Sequence, residues 1–202
     1  MSPGRRRIGI FGGTFNPPHL GHVVVAEECR WQLRLDEVHL VVAARPPHRD
    51  APAVDAEIRY ALVRAAVGDH PALQASRAEI DRPGTSFTVD TLRDMARAHP
   101  DDELVLVIGA DQLLAFTTWR EPDAIVDLAR LAVVARGGAD LAVLADAGEA
   151  IAPGRIDLVA MPAIDISSTM LRERIRDGIP YEHLLPGPVA EVIAREHLYR
   201  SR

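Results

Sequence analysis

The chain has 202 residues, of which 48% are hydrophobic and 26% are charged, and its net charge at pH 7 is −6. All 23 of its basic Lys+Arg positions are arginine, which excludes a Walker-type P-loop and any Schiff-base lysine chemistry. The acidic balance argues against a nucleic-acid partner, and no apolar run approaches the roughly 18 residues of a membrane span. A single cysteine, Cys29, can form neither an internal disulfide nor a cysteine metal cluster. We therefore expect a soluble, cytoplasmic protein with no membrane partner.

Apolar strands and amphipathic helices alternate along nearly the whole chain. Strands are predicted at residues 7–11, 38–44, 73–80, 104–108, 131–135 and 156–161. Helices are predicted at residues 20–33, 55–67, 88–98, 124–128, 141–147, 168–176 and 189–197. Buried strands joined by crossover helices indicate an α/β fold with a doubly wound, Rossmann-like parallel sheet. A ligand of such a sheet lies at the carboxyl ends of the strands, near the point where the strand order reverses.

The domain organisation predicted from this pattern is a single domain over residues 1–202. Its core spans about 7–176 and its C-terminal helical tail about 177–202. Three prolines mark residues 45–55 as a loop, and Asp55 is a candidate cap for the helix that follows. Residues 139–154 carry the weakest pattern, and the sequence leaves helix or surface loop open there. Trp31 falls inside a predicted helix, where we expect it to pack.

The turn after the first strand has the composition of a phosphate-binding loop. Its sequence, from residue 12 to residue 22, is GGTFNPPHLGH. Paired glycines allow the backbone to approach an anion closely, and His19 and His22 share a face where the next helix begins. The N-terminus of that helix adds its dipole and unpaired N–H groups. These features predict a polyphosphate site, although the pair alone also fits an ordinary tight turn or half of a metal site.

This segment resembles the H-x-G-H signature of the nucleotidyltransferase superfamily, and more closely the GGTF-(D/N)-P-x-H-x-G-H start of bacterial nicotinate-nucleotide adenylyltransferases. Asn16 stands where that family usually carries Asp. Further segments resemble the family in the same order: PPHR at 46–49, TSFTVDTL at 85–92, IGAD at 108–111, FTTW at 116–119, ISSTMLR at 166–172, and a tail with Leu185, Pro186, Val189 and Tyr199. The resemblance therefore covers nearly the full length of the chain.

The resemblance implies adenylyl transfer from ATP to nicotinate mononucleotide, which gives nicotinate adenine dinucleotide and pyrophosphate in NAD biosynthesis. It implies catalytic roles for His22, His19 and Arg172. The residues implied to bind ATP are Gly12, Gly13, Thr14, Phe15, Gly21, Gly109, Asp111, Arg136, Ile166, Ser167, Ser168 and Thr169. Those implied to bind the mononucleotide are Thr14, Pro47, His48, Arg49, Thr88, Trp119 and Arg120. Mg²⁺ is expected mainly on the ATP phosphates, with no dedicated protein ligands.

Ordinary structural roles compete with several of these assignments. Thr88, Ser168 and Asp111 are each placed to cap a helix, and Trp119 is placed to be a core residue. Three other functions also remain open: a pantetheine-phosphate or cytidylyl transferase, a non-catalytic nucleotide sensor, and a metal-binding module using His19, His22 and His48. The sequence leaves open the strength of the preference for nicotinate over nicotinamide, and whether the chain forms a homo-oligomer.

Overall fold

The fold is a six-stranded parallel sheet covered by helices on both faces, seen in a computed structural model that describes residues 5–46, 54–135 and 140–200. The strands are β1 Arg7–Gly13, β2 Glu37–Val42, β3 Leu73–Ser76, β4 Glu103–Gly109, β5 Ala129–Ala135 and β6 Ile156–Ala160. The helices are α1 Leu20–Gln32, α2 Ala56–Val67, α3 Thr88–Ala98, α4 Ala110–Leu114, α5 Pro122–Leu128, α6 Leu141–Ile151, α7 Ser168–Arg176 and α8 Gly187–Arg195. Two 3₁₀ turns, Phe116–Thr118 and Glu182–Leu184, complete the described elements.

The strand order is β3-β2-β1-β4-β5-β6, and every neighbouring pair is parallel. This is the doubly wound order, so the predicted fold class is confirmed. The order reverses between β1 and β4, which are hydrogen-bonded neighbours in the sheet. The loops that leave these two strands diverge to opposite faces and open a crevice at the carboxyl edge.

The strands are apolar on both sides because both faces of the sheet are buried. In β4 the five residues from Leu104 to Ile108 are all buried, and they alternate between two apolar clusters. Leu106 joins the cluster that includes α3, α5 and α6, whereas Val105 joins the cluster that includes α1 and α2. Side chains two apart share a face of a strand, so one apolar run supplies both clusters.

A third apolar cluster joins the C-terminal helices to α2. Leu62 of α2 packs with Leu171 and Ile175 of α7 and with Val189 and Ile193 of α8. The helical tail predicted from residue 177 onward is therefore held against α2 through shared side chains, and its start at about 177 stays a prediction.

Most predicted elements are confirmed, with end points shifted by a few residues, and Asp55 caps α2 by accepting a hydrogen bond from the backbone of Glu57. The strand predicted at 73–80 is an edge strand as far as Ser76. Residues 141–151 of the ambiguous segment are helical. The short α4 and the 3₁₀ turns had no sequence prediction, because elements of three to five residues are too short to show a period.

The expectation that Trp31 packs is wrong, because its side chain is 76% exposed. The buried face of α1 carries Val25, Ala26 and Cys29. A residue two positions beyond Cys29 is rotated by about 200° around the helix, and Trp31 therefore points to the opposite side. Within the described ranges, no helix has the length and apolar character needed to cross a bilayer.

Candidate active site

The loop between β1 and α1 is shaped around the buried ring of Phe15. This residue has a left-handed backbone (φ 48°), and its ring is 2% exposed. A Cβ on Gly13 would lie 2.8 Å from that ring, so glycine is needed there. The Phe15 ring packs against His22, with 5.0 Å between ring centroids. The predicted contact of Phe15 with ATP stays a prediction, and its side chain supports His22 from within the protein.

The histidines of the loop pack on each other where α1 begins. Their ring centroids are 3.8 Å apart, and His19 is the N-cap residue of the helix. The backbone N–H of His19 donates to Nδ1 of His22 over 3.1 Å. A neutral imidazole that accepts at Nδ1 carries its proton on Nε2, which gives His22 a donor for a phosphate oxygen. A Cβ at Gly21 would lie 3.0 Å from His19 Nδ1, a tight contact that would require the His19 ring to shift.

The start of α7 lies against this loop although it is about 150 residues away in sequence. Arg172 Nη1 donates to the backbone oxygen of Asn16 over 2.9 Å, and Nη2 donates to Thr169 Oγ1 over 3.1 Å. Ser168 Oγ donates to the backbone oxygen of Pro17 over 2.8 Å. The loop predicted as a polyphosphate site and the start of α7, which the resemblance implies to bind ATP, are therefore adjacent in the fold. Together they combine imidazole, guanidinium and hydroxyl groups with the N-termini of α1 and α7.

Two of the capping alternatives are wrong. Ser167, not Ser168, caps α7 by accepting a hydrogen bond from the Met170 N–H over 3.2 Å, so the hydroxyl of Ser168 can reach Pro17. Asp111 lies in the first turn of α4 and not at its cap, which is Gly109. Gly109 is the last residue of β4, the sheet neighbour of β1, and Asp111 follows it and is exposed at this edge.

The mononucleotide side of the crevice is predicted at α3 and the turn around Trp119. Thr88 is the first residue of α3 and Phe87 precedes it as N-cap, so the capping alternative for Thr88 is wrong as well. Trp119 is half-buried, and its ring packs on Phe116 with 5.3 Å between centroids. The guanidinium carbon of Arg120 lies 4.6 Å from the centroid of the Phe87 ring. These contacts hold the two predicted elements together.

A salt bridge fixes the backbone just after Trp119. Arg93 of α3 donates to Glu121 over 2.5 Å, and Glu121 has a left-handed backbone (φ 52°). The hydrogen bond from Arg93 holds the pKa of the Glu121 carboxyl below its ordinary value. The backbone N–H groups that could receive a pyridine carboxylate are thus carried on a turn that is tied to α3.

Sequence reasoning missed Arg59 and Ser86. Arg59 is 1% exposed and donates to the backbone oxygens of Thr14 and Ala43, each over 2.8 Å. Ser86 Oγ accepts from the N–H groups of Ala44 and Arg45, each over 3.1 Å. A usable signal existed for Arg59, because it lies on the apolar stripe of α2 that also carries Leu62 and Val63.

Several predicted site residues lie outside the described residues, namely Pro47, His48, Arg49 and Arg136. Among the residues that the structure describes, no group of three or more His, Cys, Asp or Glu side chains is arranged to hold a metal ion. The predicted phosphate-site residues that the structure brings together are Phe15, His19, Gly21 and His22 of the loop after β1 and Ser168, Thr169 and Arg172 at the start of α7.

Comparison with known proteins points to one family. Residues 10–174 match the family model described as cytidylyltransferase-like. A protein of Moorella thermoacetica is 40% identical over 201 residues, which cover 97% of this chain and 93% of that protein. A protein of Thermus thermophilus is 42% identical over 194 residues, which cover 96% of this chain and 100% of that protein. Both are named "Probable nicotinate-nucleotide adenylyltransferase".

Solved structures show the same fold. A Plasmodium falciparum nicotinic acid mononucleotide adenylyltransferase complexed with NaAD aligns with a TM-score of 0.80 at 16% identity, over 96% of this chain and 98% of that one. The structure of that adenylyltransferase complexed with APC aligns over the same shares of both chains, with a TM-score of 0.78 at 16% identity. From its family match and its full-length relatives, the chain belongs to the nicotinate-nucleotide adenylyltransferase family of nucleotidyltransferases.

Proposed function

We propose that this chain transfers the adenylyl group of ATP to nicotinate mononucleotide, forming nicotinate adenine dinucleotide and pyrophosphate. The observation that carries the proposal is the junction of α7 with the loop after β1. There Arg172 and Ser168 bind the backbone of Asn16 and Pro17, beside the paired histidines. This junction concentrates donors for a triphosphate at the switch point of the sheet.

The reaction needs no nucleophile from the protein. A 5′-phosphate oxygen of the mononucleotide attacks the α-phosphorus of ATP, the bond from that phosphorus to the bridging oxygen breaks, and pyrophosphate leaves with the electron pair. A phosphate monoester is already mostly anionic at neutral pH, so a general base is unnecessary. Catalysis consists of positioning and of stabilising charge that develops on the phosphate oxygens.

We assign the reacting phosphate to His22. Its Nδ1 is engaged by the His19 backbone, and Nε2 of the neutral ring is then the donor toward the α-phosphate. His19 contributes to the triphosphate site, and Arg172 holds the β- and γ-phosphates and the departing pyrophosphate. A guanidinium suits this task because its planar fork can donate to two phosphate oxygens at once.

We assign the pyridine ring to the surface formed by α3 and the turn at Trp119. A pyridinium stacked on an indole gains about 0.5–2 kcal/mol. A carboxylate on the ring gains charge-assisted hydrogen bonds from the Thr88 hydroxyl and from backbone N–H groups after Trp119, which a carboxamide accepts less strongly. The assignment therefore favours nicotinate over nicotinamide mononucleotide.

Mg²⁺ is proposed as the metal of the reaction, bound to ATP. The donor set fits a metal that arrives on the phosphates, because Asp111 is the one predicted site residue among the described ones with a carboxylate. Mg²⁺ keeps several of its waters and needs few protein ligands, and when bound it would neutralise phosphate charge. A cytoplasmic location is proposed from the composition and the single cysteine.

Pyrophosphate release tests the proposed function. Purified chain is supplied with ATP, Mg²⁺ and either nicotinate or nicotinamide mononucleotide. In parallel reactions, phosphopantetheine replaces the mononucleotide or CTP replaces ATP. We expect release with nicotinate mononucleotide and ATP, with higher kcat/KM than with the nicotinamide compound. The assignment fails if neither mononucleotide supports release. Release only in the reactions with phosphopantetheine or with CTP would instead indicate a different nucleotidyltransferase activity.

A further inference from the structure

The C-terminal end of the chain reaches the phosphate loop through one side chain. The hydroxyl of Tyr199 donates to Oδ1 of Asn16 over 2.7 Å, across 183 residues of sequence. Asn16 is 8% exposed, so its amide is turned into the protein and away from solvent. Tyr199 has a left-handed backbone (φ 63°), which a tyrosine rarely adopts, at the point where its side chain enters the site.

The same Asn16 connects Tyr199 to the proposed pyrophosphate ligand. Its backbone oxygen accepts a hydrogen bond from Arg172 Nη1 over 2.9 Å. Tyr199 therefore fixes the side chain of Asn16, while Arg172 binds its main chain. A shift of Asn16 by a fraction of an ångström would move the guanidinium, and catalysis by positioning is sensitive to such displacements.

The charge state of Tyr199 suits a permanent donor. Burial raises the pKa of its phenol, and the neighbouring Arg172 and Arg59 oppose that rise without cancelling it. The hydroxyl is therefore protonated throughout the neutral range. A second support acts on the same loop, because the backbone oxygen of Thr14 accepts from Arg59 Nη1 over 2.8 Å.

We propose that Tyr199 is a positioning residue for adenylyl transfer, which acts through Asn16 on Arg172 without touching either substrate. The proposal rests on the proposed function only in placing the triphosphate beside Arg172. It also accounts for an uncharged residue at position 16, where the motif that the chain resembles has either aspartate or asparagine. Either side chain offers the oxygen that accepts from the Tyr199 hydroxyl, so a negative charge at position 16 is not required.

The test is a double-mutant cycle on the full chain. Tyr199→Phe removes the donor, Asn16→Ala removes the acceptor, and the double variant removes both. We expect each single variant to lower kcat/KM for ATP by about two- to tenfold, the range for one lost hydrogen bond. The double variant should be no slower than the slower single variant, because residues that act through one bond are not additive. KM for the mononucleotide should stay within about twofold of the native value.

Matched controls separate positioning from folding. Tyr181→Phe removes a hydroxyl from the same C-terminal apolar cluster and should leave kcat/KM for ATP unchanged. Asn16→Asp preserves the accepting oxygen and should therefore lower kcat/KM for ATP less than Asn16→Ala does. If Tyr199→Phe fails to fold, the contrast between Asn16→Ala and Asn16→Asp tests the same bond.

The proposal is overturned if Tyr199→Phe leaves kcat/KM unchanged, or if the two single effects multiply in the double variant. The affinity of all variants for a nonhydrolysable ATP analogue, measured by calorimetry, distinguishes failure of the positioning proposal from failure of the proposed function. If native protein releases no pyrophosphate yet binds the analogue, a weaker affinity in Tyr199→Phe still supports positioning, and an unchanged affinity contradicts it.

Discussion

The position of the proton on one imidazole decides how the proposed reaction proceeds. His22 accepts at Nδ1 from the backbone of His19, the residue that caps α1. The tautomer is therefore set by the backbone where the helix begins, and the Phe15 ring limits how the imidazole can tilt. Nε2 of the neutral ring can then donate to phosphate oxygens as their charge develops.

Removal of this imidazole should affect turnover more than binding. We expect His22→Ala to lower kcat by about a hundred- to a thousandfold, the usual effect of losing one donor to a developing oxyanion. KM for ATP should change little, because Arg172 and the helix N-termini remain. Steady-state kinetics check this, with the exposed His183→Ala as the control. An unchanged kcat in His22→Ala would rule out the assigned role.

The two tryptophans offer a matched pair for the pyridine site. Trp119 is half-buried beside Phe116, whereas Trp31 is 76% exposed on α1. We expect Trp119→Ala to raise KM for nicotinate mononucleotide by about three- to thirtyfold through loss of stacking. Trp31→Ala should leave both KM values unchanged. The assignment is wrong if Trp119→Ala weakens ATP binding alone.

Local sequence predicts residues whose role shows in a short motif, and misses those whose partners are distant. His19, His22 and Arg172 lie in short motifs that can be recognised directly. Arg59 donates to backbone oxygens of three different segments. The residues around Arg59 in the sequence do not identify these acceptors. The one local signal is a charge on the apolar stripe of α2. Sequence therefore indicates candidate substrate-binding groups more readily than the residues that hold those groups in place.

At the scale of elements, α7 has two roles: it packs in the third apolar cluster, and its start is bonded to the loop of the proposed phosphate site. Its first turn carries two neighbouring serines with different partners. Ser167 accepts from the Met170 N–H inside the helix, whereas Ser168 donates to Pro17 in the loop after β1. One hydroxyl stabilises the helix and the other joins the helix to the phosphate loop.

These serines should separate stability from activity. Ser167→Ala should lower the free energy of unfolding by about 1 kcal/mol, as loss of an N-cap does, with a small effect on kcat/KM. Ser168→Ala should lower kcat/KM for ATP several-fold more than Ser167→Ala, because the loop loses one of its hydrogen bonds to α7 and keeps that from Arg172. Chemical denaturation and kinetics on both variants measure the difference. Equal effects of the two substitutions on kcat/KM would contradict the division of roles.

Element prediction succeeded where burial imposes a long pattern and failed where it does not. The β4 run is apolar at every buried position, and α2 shows a clear cap at Asp55, so both were predicted closely. The short α4 follows β4 directly and has only five residues, too few to show a helical repeat. The exposure of Trp31 was missed because burial was expected from its aromatic side chain, without asking which face of α1 it lies on.

At the scale of the whole molecule, arginine alone supplies the positive side chains for phosphate binding and salt bridges, for which many proteins also use lysine. The 23 basic side chains are all arginine, and the phosphate site uses imidazole, guanidinium and helix N-termini. Arginine also ties strands together at the opposite edge of the sheet. There Arg6, just before β1, donates to Asp102, just before β4, over 2.9 Å.

This tie predicts a loss of stability in acid. The hydrogen bond from Arg6 holds the pKa of Asp102 below its ordinary value of 3.8. A depressed pKa in the folded state means that the stabilisation is present above pH 3.8 and is lost as pH falls through the lowered pKa. We expect the free energy of unfolding to decline below about pH 4, and less steeply in Asp102→Asn.

The matched control for this effect is Asp101→Asn, which changes the exposed neighbouring carboxylate. Denaturant unfolding at a series of pH values measures the slope for the native chain and both variants. If Asp102→Asn and Asp101→Asn give the same pH dependence as the native chain, the acid loss does not arise at this bond.

The central claim is that adenylyl transfer takes place where β1 and β4 meet at the carboxyl edge of the sheet. A crystal structure with nicotinate mononucleotide and a nonhydrolysable ATP analogue tests it most directly. We predict the α-phosphate within about 3 Å of His22 Nε2, the terminal phosphates on Arg172, and the pyridine ring against Trp119. A triphosphate that lies away from both His22 and Arg172, or a pyridine ring bound elsewhere, would contradict the account.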